Sequence, residues 1–303
     1  MILELVAAVL AAPLAPQTVL TINPSHRIVE GVASDGRTIW VSSVLDRTII
    51  ACRRACRPLA VLPKGLHPFA IAWDESRQRL WVAAACPPGV RGIAACQRGA
   101  LLALDRRGRI RARLAPASGP FQPGDIAASA GGVFASDSQN GAVYRLVGRD
   151  LAPLVGPGVG KSGQGMALDP TGKRLIVADY ARGFAAVDLA TGARTLLPRQ
   201  DGKPLRGVDG LVRCGSTYYG IYNGAAPGAL LSIAVSQRSL VFTEPFGDLS
   251  LHDPTQIALA GNRLLVVADS GWASLDKPGF KRTEGATVIA IPLSHDCKPR
   301  FAR

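Results

Sequence analysis

The sequence predicts an all-β chain folded as a six-bladed β-propeller, with four-stranded blades closed into a ring by an N-terminal strand. Three observations predict it. A pattern of three short strands recurs six times, and the copies begin 39, 56, 39, 45 and 46 residues apart, a spacing that belongs to blade-type repeats. The strands are apolar on both faces, as in Leu264-Leu265-Val266-Val267, which suits a sheet packed between two neighbouring sheets. Finally, Thr18 to Ile22 reads as a strand with no hairpin partner of its own. Pairing it with the last copy would remove the open sheet edges.

The copies follow in order. The first runs from Ile28 to Ala51. The second starts at His67 and finishes with Gly99 to Asp105 after a cysteine-bearing insertion, and the third spans Gly124 to Leu146. The fourth, Gly163 to Gly192, is the clearest: Met166 to Leu168, a turn at Asp169-Pro170-Thr171-Gly172, Leu175 to Ala178, then Ala185 to Leu189 and a turn at Ala190-Thr191-Gly192. The fifth spans Val208 to Val235, and the sixth starts at Asp253 and closes with Ala286 to Leu293. The copies begin at Glu30, Phe69, Asp125, Gln164, Asp209 and Thr255. A solenoid could share this period, but its ends would need polar caps, and neither end reads as one. The run Gly158 to Gly165 lacks P-loop spacing and is expected to be a β-turn.

Residues 1–15 have the length and apolar character of a signal peptide, with Ala11, Ala12 and Ala15 suited to a cleavage region; residues 16–303 then form a single propeller domain. The six cysteines fall into two local pairs, Cys52 with Cys56 and Cys86 with Cys96, leaving Cys214 and Cys297. That even count fits disulfides in a periplasmic or secreted protein. No run of 18 apolar residues follows the N-terminus, so no transmembrane segment is expected. The formal charge of +13 is carried mainly by Arg and looks scattered along the chain, while aromatic residues make up 6%. Stacking platforms for bases are therefore scarce, and nucleic acid is not an expected partner.

In a propeller the innermost strands all begin at one mouth of the central channel, so residues distant in sequence meet there. Here the strand starts bring Glu30, His67, Gly124-Asp125, Gln164, Asp209 and His252-Asp253. Glu30, Gln164 and Asp209 offer the hard oxygens that Ca²⁺ accepts; the two imidazoles with Glu30 would instead suit Zn²⁺. Asp125, His67 and His252 are the candidate catalytic acid–base groups. The loops between second and third strands share that mouth and contribute Tyr180, Asn223 and Trp272 as candidate substrate-binding walls. The long last loop, Asp269 to Lys281, has the character of a lid.

At Glu30-Gly31, Gly163-Gln164-Gly165, Ala178-Asp179-Tyr180, Val208-Asp209-Gly210-Leu211, Tyr222-Asn223-Gly224 and Ser270-Gly271-Trp272, the chain resembles the regucalcin/gluconolactonase family of six-bladed propellers, from about Val19 onward. The resemblance implies a divalent cation bound by a Glu, two Asn and an Asp, and hydrolysis of lactones or related esters. Glu30 and Asp209 match the first and last of those ligands and Gln164 replaces one Asn, while Gly124 stands where the other is expected. The alternative is a non-catalytic propeller that binds a small ligand or a protein at the same mouth. A monomer is expected in either case.

Overall fold

Each repeat folds as an antiparallel meander, and six such four-stranded sheets form the ring in the computed structural model. It describes residues 15–87, 90, 96, 98–236, 238–243, 249, 251–275, 284–294 and 297. Blade 1 is Val29–Ser34, Ile39–Ser43, Thr48–Cys52 and Cys56–Val61, and blades 2 to 5 repeat the scheme in order. Blade 6 takes its outer strand from the start of the chain. Gln17–Thr21 pairs antiparallel with Thr287–Pro292, Gln17 opposite Ala290 and Thr21 opposite Thr287. The closing strand expected from the sequence is therefore present, and the ring has no open seam.

The two-faced apolar strands are explained by where the core lies. It is divided into six clusters, one in each seam between neighbouring blades. Blades 6 and 1 share Val29, Val41, Val267 and Val288; blades 1 and 2 share Trp40, Leu66 and Val82. Tyr218, Phe134 and Phe184 are the largest fully buried side chains. Because each sheet is covered on both faces, alternation of polar and apolar residues is lost, and the strand pattern becomes a continuous apolar run.

Three disulfides, Cys52–Cys56, Cys86–Cys96 and Cys214–Cys297, join the pairs anticipated from the sequence. The third spans 83 residues and ties blade 5 to the segment following blade 6. Replacing both Cys214 and Cys297 by Ser is expected to cost about 4 kcal/mol, because the bridge closes the longest loop. Urea unfolding reads this directly; a loss no greater than that from removing Cys52–Cys56 would contradict it.

Candidate functional site

The first strand of each blade carries an irregularity at the same place. In blades 1 to 5 the ladder shifts register between Val29 and Val32, Pro68 and Ile71, Pro123 and Ile126, Gly163 and Met166, and Val208 and Leu211. Two residues are thus lifted out of each ladder: Glu30-Gly31, Phe69-Ala70, Gly124-Asp125, Gln164-Gly165 and Asp209-Gly210. Thr255-Gln256 occupies the matching place before Ile257–Ala260 in blade 6. Bulges re-aim side chains and are common beside functional sites. The five bulges, with the matching segment of blade 6, make successive layers along the ring axis.

The first layer is Glu30, Phe69, Gly124, Gln164, Asp209 and Thr255. The third blade enters this layer with Gly124; Asp125 falls one residue later, so the copies align one position away from the start read in the sequence. The second layer is Gly31, Ala70, Asp125, Gly165, Gly210 and Gln256. Its glycines answer a steric demand: a Cβ on Gly31 would lie 2.4 Å from the Phe69 carbonyl oxygen, and one on Gly165 2.3 Å from that of Asp209. Small residues let neighbouring inner strands touch, while Asp125 and Gln256 supply the polar side chains of this layer. Beneath them Val32, Ile71, Ile126, Met166, Leu211 and Ile257 begin an apolar channel of about 840 Å³, which reaches Trp73 and Gly215 at the far end.

Side-chain bonds stitch the layers across the seams. The Ser42 hydroxyl accepts the Gly31 N–H at 2.7 Å and donates to the Phe69 carbonyl at 2.6 Å. Thr255 donates to the Glu30 carbonyl at 2.8 Å, closing blade 6 on blade 1. Ser136 accepts the Asp125 N–H at 2.9 Å. These bonds satisfy amides that the bulges leave unpaired.

Asp209, Asp253 and Asp125 all lie within electrostatic reach of Glu30. Burial, and then the neighbouring charge of Asp209, pushes Glu30 up to about 8. Burial also raises Asp209, against a favourable Asn223 bond. Asp125 is 4% exposed, and burial lifts it to about 7 although the Ile126 N–H donates to its carboxylate at 2.7 Å. No cationic side chain figures among the causes of these shifts. Hydrogen bonds from Trp272, Asn223 and Ile126 are what favour charge on Glu30, Asp209 and Asp125.

The proposed wall residues meet the same carboxylates. Trp272 donates its indole N–H to Glu30, and Phe69 stacks against that indole with ring centroids 6.4 Å apart. Asp253 fixes the Trp272 turn by accepting from the Ser270 hydroxyl at 2.7 Å and the N–H groups of Gly271 and Ala273 at 2.9 and 3.0 Å. Asn223 donates from Nδ2 to Asp209 at 3.0 Å and to the Pro254 carbonyl at 3.0 Å. Its Oδ1 is buried with no donor. Tyr180 is half-buried, and its hydroxyl is raised by burial and by Asp209.

The remaining candidates are placed differently. His67 is buried and its Nδ1 meets the Val44 carbonyl at 2.8 Å. His252 is exposed. The turn Gly158 to Gly165 is tied to Asp179, which accepts the Lys161 and Ser162 N–H groups at 2.8 and 3.1 Å. The expected lid segment is described only to Leu275, with Trp272–Ser274 as one 3₁₀ turn; residues 276–281 and residues 1–14, most of the expected signal peptide, lie outside the described residues. Phe69 and Gln256 were not singled out as site residues by the sequence, whereas Asp253 was placed at the mouth beside His252. The repeated polar-Gly pair (Glu30-Gly31, Gln164-Gly165, Asp209-Gly210) was the available signal, since it marks the bulge, and applying its register to blades 2 and 6 points to Phe69 and Gln256.

Among the described residues no three His, Cys, Asp or Glu side chains could hold a metal by themselves. A cation would need amide oxygens as well. Two acidic groups, the Gln164 amide and the orphaned Asn223 Oδ1 provide such a set, and part-buried carboxylates close together suit a hard divalent cation. Gly124 cannot be replaced by a ligand of greater size: a Cβ there would lie 2.4 Å from the Gly163 carbonyl oxygen and 2.9 Å from Gln164 Oε1.

The architecture and this mouth define the class: a six-bladed propeller with an acidic, aromatic-walled channel entrance. No family model matches the chain, and no curated protein matches it in sequence. Its fold neighbours among solved structures include a gluconolactonase from Xanthomonas campestris, 18% identical with a TM-score of 0.62 over 95% of this chain and 93% of that one. Regucalcin from Agrobacterium tumefaciens, a calcium-binding protein, is 17% identical with a TM-score of 0.57 over 93% and 96%. A PQQ-bound aldose sugar dehydrogenase from Streptomyces coelicolor is 14% identical with a TM-score of 0.61 over 93% and 99%. At these identities the likeness establishes the fold, a fold that carries unlike chemistries.

Proposed function

We propose that the protein is a lactonase-like hydrolase, acting on a lactone or related ester at the carboxylate-lined mouth. The observation that carries this reading is the part-buried pair Glu30 and Asp209, within electrostatic reach of each other and held by Trp272 and Asn223. Glu30, Asp209, Gln164 and Asn223 would hold a divalent cation, with Ca²⁺ favoured by the all-oxygen set. When bound, it would supply Lewis-acid polarisation of the substrate carbonyl. Asp125 serves as the proton-transfer group, because it lies beside the pair and changes protonation near neutrality. Trp272, Phe69 and Tyr180 flank the ring of the substrate. Trp272 also keeps Glu30 oriented through its indole N–H. His67 is oriented by Val44, and His252 is exposed beside Asp253. The three disulfides support a periplasmic or secreted protein.

The reading is tested by titrating chelator-treated protein with Ca²⁺ and Zn²⁺ and then offering a panel of lactones and esters. Cation binding with opening of at least one lactone is expected. Failure of the loaded protein on the whole panel would remove the hydrolase reading. The second reading, a non-catalytic ligand- or protein-binding propeller, is favoured by one observation: Gly124 cannot supply an oxygen. The oxygen that Gly124 lacks is a side-chain one, and this reading would be retained if a ligand bound at this mouth without turnover.

A further inference from the structure

We infer that the end of blades 1 and 2 opposite the acidic mouth docks the protein onto an anionic lipid bilayer. This does not depend on the hydrolase reading. Residues 35–113 hold 15 of the chain's 35 Lys and Arg but five of its 22 Asp and Glu, so they supply +10 of the formal +13. The charge that looks scattered along the sequence is thus concentrated in two adjacent blades. Within them, the hairpin turns joining first to second and third to fourth strands all lie at one end. These turns are residues 35–38, 53–55, 75–78 and 105–109.

The turns are laced together. Arg106 of blade 2 pairs with Asp35 of blade 1, bonds Gln78 at 3.1 Å and lies 4.4 Å over the Trp73 ring. Arg53 donates to Thr38 at 2.7 Å, and Arg77 reaches the Ser129 carbonyl of blade 3 at 3.0 Å. The local acids are used internally: Asp74 by Arg77, Asp105 by Arg109 and Arg111, and Glu75 by Trp73 and Gln78. Arg37, Arg53, Arg54, Arg57 and Arg107 are exposed and form no ion pair among the described residues.

Two features favour a bilayer over a soluble acidic polymer. The arginine turns are held at a single end by these cross-contacts, and the Cys52–Cys56 bridge clamps the turn that carries Arg53 and Arg54. A rigid end made of hairpin tips meets a plane with little ordering cost. Ile110, 40% exposed between Arg109 and Arg111, adds an apolar group of the kind that enters a headgroup layer beside basic side chains. Docking by this end leaves the acidic mouth facing solvent, as attraction to an anionic surface requires.

The test is co-sedimentation of the full chain with phosphatidylcholine vesicles containing or lacking phosphatidylglycerol. Wild-type protein should bind only the anionic vesicles, and lose them as salt rises from about 0.1 to about 0.5 M. The triple variant Arg53→Glu, Arg54→Glu, Arg107→Glu should bind about a hundredfold more weakly. A control, Arg27→Glu, Lys203→Glu, Arg206→Glu, makes the same charge change among exposed residues at the mouth end and should stay within about threefold of wild type. Wild-type indifference to anionic vesicles, equal losses in both triples, or capture by soluble heparin with no vesicle binding would each overturn the inference.

Discussion

Glu30→Gln should bind Ca²⁺ about a hundredfold or more weakly than wild type, and Asp209→Asn should do the same. Losing one of two part-buried charges from a cation site costs on the order of 3 kcal/mol, which corresponds to that factor. Both substitutions preserve local bonds. A Gln amide oxygen at position 30 still accepts the Trp272 indole N–H, and an Asn oxygen at 209 still accepts from Asn223 Nδ2. The stability of the metal-free protein provides an independent readout. Because Glu30 and Asp209 disfavour each other's charge, neutralising Glu30 should raise the chelated protein's unfolding midpoint at about pH 8, while abolishing the stabilisation that Ca²⁺ confers on wild type. A residue with a purely structural role would show the reverse: lower stability and no change in cation affinity. Unaltered Ca²⁺ titrations for both variants would exclude this mouth as the cation site.

Metal-free wild-type protein should lose stability as pH rises from about 4 to about 7, with Asp125 contributing on the order of 3 kcal/mol. The folded carboxyl titrates at about 7 against an ordinary value of 3.8. Between those values the folded state holds a proton that the unfolded chain has released. Stability from this group is therefore complete below about pH 4 and is lost as pH climbs through the folded value. Glu30 and Asp209 act in the same direction, their carboxyls being raised as well. The salt-bridged acids Asp35, Asp74 and Asp169 are lowered; what they contribute is present above their ordinary values and falls away only in stronger acid. They leave the range above about pH 5 to the mouth carboxylates. Asp125→Asn keeps an oxygen for the Ile126 N–H and should flatten the profile. Urea midpoints in chelator, measured for both proteins at about pH 5 and about pH 7.5, decide the matter. A wild-type stability that holds level or increases over this interval would refute it.

The sequence by itself determined the fold and the address of the site. Blade packing repeats the same local demand six times, so apolar strands, Gly-bearing turns and a spare N-terminal strand are legible without any long-range information. The repeat also brings equivalent residues to one mouth, which is why Glu30, Gln164, Asp209, Tyr180, Asn223 and Trp272 could be named together. Tertiary structure alone decided the rest. The bulge register places Gly124, with Asp125 one layer deeper, because pairing shifts depend on the partner strand. The Gly163 carbonyl excludes a side chain at 124 across a seam that no sequence window contains. Asn223 is left with an unpaired oxygen because its amide nitrogen is taken by Asp209 and by Pro254, 31 residues away. Arg37, Arg53, Arg54, Arg77, Arg106, Arg107 and Arg109 become one charged end only when hairpin turns from two blades lie side by side. Each of these outcomes depends on contacts between residues far apart in the chain, set by how neighbouring blades dock, whereas the repeat is written locally in every copy.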